Sequence, residues 1–291
     1  KQFDVTLRMN IKTQVTTRLD YDELIEEKRI GEGSFGVVFK GTFRDHPVAI
    51  KKMKQAANDP MAMEEFNKEV DMLDKFRSEY LVHFYGAVFI PNKICMVNEF
   101  CPCGSLQDLM KKNEKSILSE KLLVKFLLDG AHGIEYLHKN GILHRDIKPD
   151  NFLVTSTEEN VDVNCKLTDF GSSRNLNMMM TNMTFTKGIG TPTYMAPEIL
   201  DKRHYKYPAD MFSYAITMLE VAQWGPAYPK ESFPHPWDIA NFVTSGQRPQ
   251  KHDCVPDWLY NIICDCWQPY SIKRLTATQL IERLENHNMK Q

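Results

Sequence analysis

The chain has 291 residues, 42% apolar and 25% charged, which is enough to bury a large core and too apolar for a disordered tail. With 36 Lys and Arg against 38 Asp and Glu the net charge is −2, so no bulk basic field points to nucleic acid. The longest nearly apolar stretch, 80–90, contains His83 and is too short to span a bilayer; no basic-then-apolar leader opens the chain, and a first residue other than Met points to a domain cut from a longer protein.

Residues 1–20 mix charges and β-branched side chains without a period and read as a flanking segment. From Asp20 to about Asn98 the pattern is strand-like with one helix, and after Pro102 it is mainly helical, so the spacing predicts two lobes meeting near 99–104. The segment Gly31-Glu32-Gly33-Ser34-Phe35-Gly36-Val37-Val38 lets backbone approach phosphates closely and turn its N–H groups toward them. A dinucleotide-binding fold uses the same string but needs a helix directly after it. Here 37–43 reads as strand, 44–47 as a turn and 48–52 as a second strand, with no room for a crossover helix. The glycines therefore join antiparallel strands.

In Val48-Ala49-Ile50-Lys51 alternation puts Ala49 and Lys51 on one face and Val48 and Ile50 on the other. Asp59-Pro60 offers a cap and a first-turn proline for a helix whose apolar face is Met63, Phe66, Val70 and Leu73. Glu69 falls on or beside that stripe, where an acid needs a partner, and Lys51 is the candidate. A longer helical stripe of Leu123, Phe126, Leu127, Ile134 and Leu137 ends at Asn140-Gly141. After it come the polar run His144-Arg145-Asp146-Ile147-Lys148-Pro149-Asp150-Asn151, then Phe152-Leu153-Val154, Asp169-Phe170-Gly171 and Gly190-Thr191-Pro192-Thr193-Tyr194-Met195-Ala196-Pro197-Glu198. Residues 208–224 are apolar nearly all round, as in a buried helix, and Thr276 with Gln279 forms a capping box for the last helix. The seven cysteines have no C-x-x-C pair and no histidine at zinc-finger spacing; they read as reduced core thiols, hence a reducing compartment, cytosol or the cytosolic side of a membrane.

Taken in order, these segments match G-x-G-x-x-G-x-V, V-A-I-K, a helical Glu, H-R-D-x-x-x-x-N, D-F-G and A-P-E, and from about Tyr21 to about Leu284 the chain resembles a eukaryotic protein kinase catalytic domain. The resemblance implies an α+β bilobal fold over 21–291, with a small β-rich N-lobe of about 21–98, a hinge at about 99–103 and a larger, mainly helical C-lobe of about 104–288. It implies ATP and Mg²⁺ (Mn²⁺ being a further option), with nucleotide contacts from Ile30, Gly31, Gly33, Ser34, Gly36, Val38, Ala49, Lys51, Glu99, Cys101 and Leu153. Lys51 would hold the α- and β-phosphates and Glu69 would hold Lys51. Asp146 would orient the substrate hydroxyl and accept its proton, Lys148 would steady the γ-phosphate, and Asn151 and Asp169 would bind the metal. Val38, Ala49 and Leu153 would sandwich the adenine, and Asn98 would guard the pocket behind it.

The same resemblance assigns Leu73, Phe84, Phe170 and His144 to an internal stack, makes Asp210 the anchor of the catalytic loop, pairs Glu198 with Arg274, and makes Thr191 a partner of Asp146 and Lys148. Lys148 and Gly190-Thr191-Pro192 resemble the Ser/Thr-specific pattern, whereas 99–106 and 256–267 look like tyrosine kinases. That mixture resembles the tyrosine-kinase-like group, so protein substrates with Ser and Thr acceptors are expected, with dual or tyrosine specificity as the alternative. Arg145 before the catalytic Asp implies activation-loop control, with Thr181, Thr184 or Thr186 as the phosphosite among Ser172, Ser173 and those threonines; autophosphorylation in trans is a further expectation. A nucleotide-binding scaffold without chemistry would show gaps at Lys51, Asp146, Asn151 or Asp169, and none is missing. A kinase of small molecules would not need Ala196-Pro197-Glu198 or so long an activation loop. The expected location is the cytoplasm, either free or as the cytoplasmic domain of a membrane receptor if a segment outside this sequence tethers it.

Overall fold

The computed structural model describes residues 18–33, 36–53, 60–112, 118–169, 174–175, 192–201 and 206–288. The chain divides into two compact units, Lys1–Phe100 and Cys101–Gln291.

The first unit is an antiparallel sheet in the order β1-β2-β3-β5-β4, from β1 (Leu24–Gly33), β2 (Gly36–Phe43), β3 (His46–Met53), β4 (Phe84–Val88) and β5 (Cys95–Glu99). The turn between β2 and β3 is tighter than the sequence predicts. Arg44 and Asp45 both take positive φ, 46° and 63°, which closes the hairpin in two residues and starts β3 at His46. Gly36 is required where it stands, because a Cβ there would run into the Lys52 carbonyl across the β2–β3 pair. One face of β3 carries Val48 and Ile50 into a core with Phe43, Val88, Cys95 and Val97, and the alternation leaves Ala49 and Lys51 on the other face. Helix α1 (Pro60–Lys75) begins at the proline and buries Phe66, Val70 and Leu73, one face at three- and four-residue steps; its expected cap, Asp59, lies outside the described residues.

The second unit opens with the short α2 (Leu106–Lys111), capped reciprocally by Ser105 and Asp108. Helix α3 (Glu120–Lys139) follows, capped by Ser119 and stopped at Asn140, after which Gly141 turns the chain with φ +77°. Two short antiparallel pairs come next: β6 (Ile142–Leu143), β7 (Phe152–Val154) and β8 (Cys165–Leu167), with β7 against β8, and β9 (Arg174–Asn175) against β6. After α4 (Pro197–Leu200), helix α5 (Tyr207–Gln223) is buried without a break from Ala209 to Ala222. Trp224, left-handed at φ 54°, ends it. Helices α6 (Pro236–Thr244), α7 (Asp257–Cys266) and α8 (Ala277–Asn288) complete the unit. The last starts at the Thr276–Gln279 box, and its Thr278 hydroxyl donates to Glu135 of α3 at 2.6 Å. No described helix is long and apolar enough to cross a membrane.

The polar residues inside α5 all have partners. Ser213 donates to the Tyr194 carbonyl at 2.7 Å, Thr217 to the Ser213 carbonyl at 3.0 Å, and Glu220 accepts from the Tyr194 hydroxyl at 2.7 Å and the Ala227 N–H at 3.0 Å. Arg274, with no exposed side chain, grips Glu198 through two bonds of 2.6 and 2.8 Å and also donates to the Pro208 and Gln268 carbonyls. Arg274→Ala leaves that carboxylate and the carbonyls unpaired, so a loss of about 3–5 kcal/mol is expected, read from the urea midpoint of the second unit.

All seven thiols are free, but only Cys95, Cys101, Cys165 and Cys266 are core residues. Cys103 and Cys264 are half-buried and Cys254 is exposed, so the core-thiol reading holds for four of the seven. Cys254 follows the polar His252-Asp253, and no local apolar pattern would have pulled it inside. Burial pushes the Cys95 thiol up to about 11, and those of Cys165 and Cys266 upward as well. Iodoacetamide near neutral pH is therefore expected to modify Cys254 well before Cys95, Cys165 or Cys266, as peptide mapping would show.

Candidate active site

In the first unit the glycine segment runs from β1 into β2, with Gly31 opposite Val38 and Gly33 opposite Gly36; Ser34 lies outside the described residues, and Ile30 is 43% exposed. Register places Val38, Lys51 and Met96 in one cross-strand row and Lys40, Ala49 and Asn98 in the next. Val38, Ala49, Lys51 and Asn98 thus share one face of the sheet, opposite the core. The Lys51 ammonium lies 3.2 Å from the Glu69 carboxylate, with side chains 19% and 10% exposed. Glu69 is held there by the burial of Phe66 and Val70 on either side of it along α1. At the end of β5, the Glu99 N–H donates to the His83 carbonyl at 2.8 Å and the Glu99 carboxylate accepts from the His83 N–H at 3.1 Å.

In the second unit the segment after β6 is fixed from below. The Asp210 carboxylate, fully buried on the first turns of α5, accepts from the His144 and Arg145 N–H groups, each at 2.9 Å, and lies 2.9 Å from His138 Nε2 on α3. This clasp holds Arg145 in the left-handed region at φ 72°, a conformation that costs a side-chain-bearing residue about 1–3 kcal/mol. His144, with no exposed surface, donates from Nε2 to the Thr168 carbonyl at 2.8 Å and accepts the Asp146 N–H on Nδ1 at 3.3 Å. A donor at one nitrogen and an acceptor at the other define the neutral ring with its proton on Nε2.

The chemistry-bearing side chains stand on this base. Lys148 Nζ lies 2.7 Å from Asp146 Oδ2, and the Asn151 amide donates to the Asp146 carbonyl at 2.6 Å and to its carboxylate at 3.2 Å. Asn151 and Asp169 come together because they flank the same end of the β7–β8 pair, with Phe152 opposite Leu167 and the Thr168 N–H donating to the Asn151 carbonyl at 2.9 Å. Asp169 is left-handed too, at φ 65°. With the Asn151 amide nitrogen turned to Asp146, its side-chain oxygen and the Asp169 carboxylate offer only oxygen donors, the chemistry that suits a hard divalent cation such as Mg²⁺. Cys101 is buried, and Leu153 is partly buried in β7 with a backbone bridge to Ser105.

Leu73, Phe84 and His144 are each buried in their own unit. Phe170, Thr191 and the hydroxyl residues Ser172, Ser173, Thr181, Thr184 and Thr186 lie outside the described residues. Three participants went unrecognised in the sequence. His138 is the third partner of Asp210, and Tyr194 with Glu220 ties the segment before α4 to α5. A glutamate inside an apolar helix was the available signal for the second pair. For Glu220 burial raises the carboxyl pKa against the lowering from Tyr194 and Ala227, and for Tyr194 burial and the neighbouring Glu220 drive the phenol upward.

Burial alone would raise the Asp210 carboxyl, but the bond and charge of His138 and the Arg145 N–H bring it below the usual aspartate value. A depressed carboxyl contributes stability above its unfolded pKa and loses it as pH falls through the lower folded value. Asp210→Ala is expected to cost the second unit about 3–6 kcal/mol near pH 7, two charge-assisted bonds at about 1.5–3 each. That cost shrinks below about pH 4, as urea midpoints measured from neutral pH downward would show.

Comparison with known proteins agrees with this geometry. The family described as "Protein kinase domain" matches residues 24–284. The chain is 33% identical over 263 residues to "Serine/threonine-protein kinase VIK" of Arabidopsis thaliana, covering 88% of this chain and 58% of that protein. It is 35% identical over 273 residues to "Stress-activated protein kinase alpha" of Dictyostelium discoideum, covering 90% and 41%. It is 33% identical over 256 residues to "Dual specificity protein kinase shkB" of the same organism, covering 87% and 38%. The chain spans between 16% and 58% of the length of curated relatives that it matches. On the match over 24–284 and these relatives, the chain belongs to the protein kinase domain family.

Proposed function

We propose that this chain transfers the γ-phosphate of ATP to Ser and Thr hydroxyls of protein substrates. The observation that carries the reading is the Asp146–Lys148–Asn151 cluster, closed by bonds of 2.6 to 3.2 Å above the Asp210 clasp. Phosphoryl transfer spreads charge over phosphate oxygens in a loose transition state, so catalysis is mainly positioning and charge stabilisation. Lys51, held by Glu69, would take the α- and β-phosphates, and the backbone from Gly31 to Gly36 would cover them. Asp146 would align the attacking hydroxyl and accept its proton at Oδ2, with Lys148 next to it to steady the γ-phosphate. Asn151 and Asp169 would hold Mg²⁺, or Mn²⁺, whose charge offsets that on the phosphates when bound.

Arg145 belongs to the same proposal as the grip for a phosphate on Thr181, Thr184 or Thr186, placed there by one copy of the chain acting on another. A cytosolic location, free or tethered to a membrane by a segment outside this sequence, accompanies the reading. The relatives named as serine/threonine kinases support Ser and Thr as acceptors, and the one named as dual specificity keeps tyrosine in the assay.

The test incubates the full chain with Mg²⁺, labelled ATP and a generic basic protein, with Asp169→Asn as control, followed by phosphoamino acid analysis. Label on Ser and Thr that Asp146→Ala lowers by about 10²–10⁴ is expected. No label after prior phosphorylation of the chain, or label unaffected by Asp146→Ala, would sink the reading. Phosphopeptide mapping of active protein that finds Thr181, Thr184 and Thr186 all unmodified would remove the regulatory half alone.

A further inference from the structure

The segment just before β1 reads in sequence as a flank, but its last residues join the first unit. The Leu19 N–H donates to the Ala87 carbonyl at 2.9 Å, Arg18 pairs with Ala87 as a parallel bridge, and Leu19 packs against the sheet core. Edge strand β4 is thereby covered where its backbone would otherwise be open. From this anchor the Arg18 guanidinium lies over the ring of Phe89, 5.2 Å from its centroid. The Phe89 ring stands edge-on to Phe66, with centroids 5.6 Å apart and planes at 79°. Phe66 is 1% exposed on α1, one turn before Glu69, which meets Lys51 at 3.2 Å.

A cation over an aromatic face and an aromatic edge against a second ring are both directional contacts, unlike aliphatic packing, and fix the tilt of the ring between them. Phe66 and Glu69 share adjacent positions along one side of α1, so a constraint on the Phe66 ring restrains the roll of the helix about its axis, and with it the direction of the Glu69 carboxylate. We propose that Arg18 is a positioning residue for the Lys51–Glu69 pair, acting through Phe89 and Phe66. The inference rests on the phosphotransfer reading only for its consequence in rate; the restraint on α1 stands apart from it. A planar guanidinium covers the ring as an ammonium does only in part, so Arg18→Lys is a graded probe.

The experiment uses the full 291-residue chain and its Arg18→Ala, Arg18→Lys and Phe89→Leu variants. Amide hydrogen exchange is followed over 60–75, with 36–53 as the internal reference. Arg18→Ala is expected to speed exchange over 60–75 by about two- to fivefold while 36–53 is unchanged, with Arg18→Lys in between. Phe89→Leu should match or exceed Arg18→Ala, and adding Arg18→Ala to it should change nothing further. In phosphotransfer, Arg18→Ala should lower kcat/KM by about the same two- to fivefold in the unsubstituted chain and by nothing in a Glu69→Gln background. Unchanged exchange over 60–75, an equal rise over 36–53, or losses that multiply in the Glu69→Gln background would each overturn the inference. Absence of transfer in the unsubstituted chain counts against the kinase reading alone, because the exchange measurement still decides this one.

Discussion

The Asp210 carboxylate is the constraint on which the second unit's chemistry depends. Three pieces of chain meet at it: the end of α3 through His138, the turn after β6 through the N–H groups of His144 and Arg145, and the first turn of α5, which carries it. Every distance within the Asp146–Lys148–Asn151 cluster is inherited from that turn, because these residues follow it within six positions. The turn includes a left-handed arginine, which an isolated peptide would not hold. Two charge-assisted bonds, at about 1.5–3 kcal/mol each, exceed the roughly 1–3 kcal/mol of backbone strain. The carboxylate can offer them only because α5 places it, fully buried, under the loop.

The pair in the first unit has a different physical character. Lys51 and Glu69 meet at 3.2 Å between a strand and a helix, with 19% and 10% of their side chains exposed. Because the two charges sit on different elements, their separation follows how the helix lies against the strand. The Asp210 clasp is fully buried and has several partners; the Lys51–Glu69 pair keeps a little solvent exposure and joins one strand to one helix. One is suited to fixing geometry, the other to responding to whatever moves α1, which Phe89 contacts through Phe66.

What the sequence made legible was local. Period-two alternation assigned Lys51 and Ala49 to one face, the Asn140-Gly141 stop ended α3, and the Thr276–Gln279 box started α8, each because the cause lies within a few residues. The order of motifs named the side chains that gather at residues 144–151 and 169. Contacts between residues distant in sequence were legible only where the family resemblance named both partners, as for Glu198 with Arg274 and Asp210 with the turn at 144–145. Arg18 and Phe89 are joined by strand pairing and ring geometry that no window reveals, and the two-residue strands β6 and β9 are too short to carry a period. The exposure of Cys254 depends on how the segment after α6 runs, which composition does not specify.

The polar side chains of α5 show where stability and function are coupled. A helix buried on all sides would pack at least as well with apolar residues at every position, since burying ionised or hydroxyl groups gains little over hydrophobic packing. Yet Asp210, Ser213 and Glu220 sit inside it, and each reaches a segment carrying the site: Asp210 the turn at 144–145, Ser213 the Tyr194 carbonyl, Glu220 the Tyr194 hydroxyl. They are spaced three and seven residues apart along nearly three turns, so one side of the helix addresses the turn at 144–145 and the chain leading into α4 together. Arg274 reinforces the second of these from outside the helix, binding Glu198 in α4 and the Pro208 carbonyl at the start of α5 with the same guanidinium. The hydrophobic majority of α5 fixes the helix in place, and the polar minority transmits that fixity to loops that have too few apolar residues of their own to be held still.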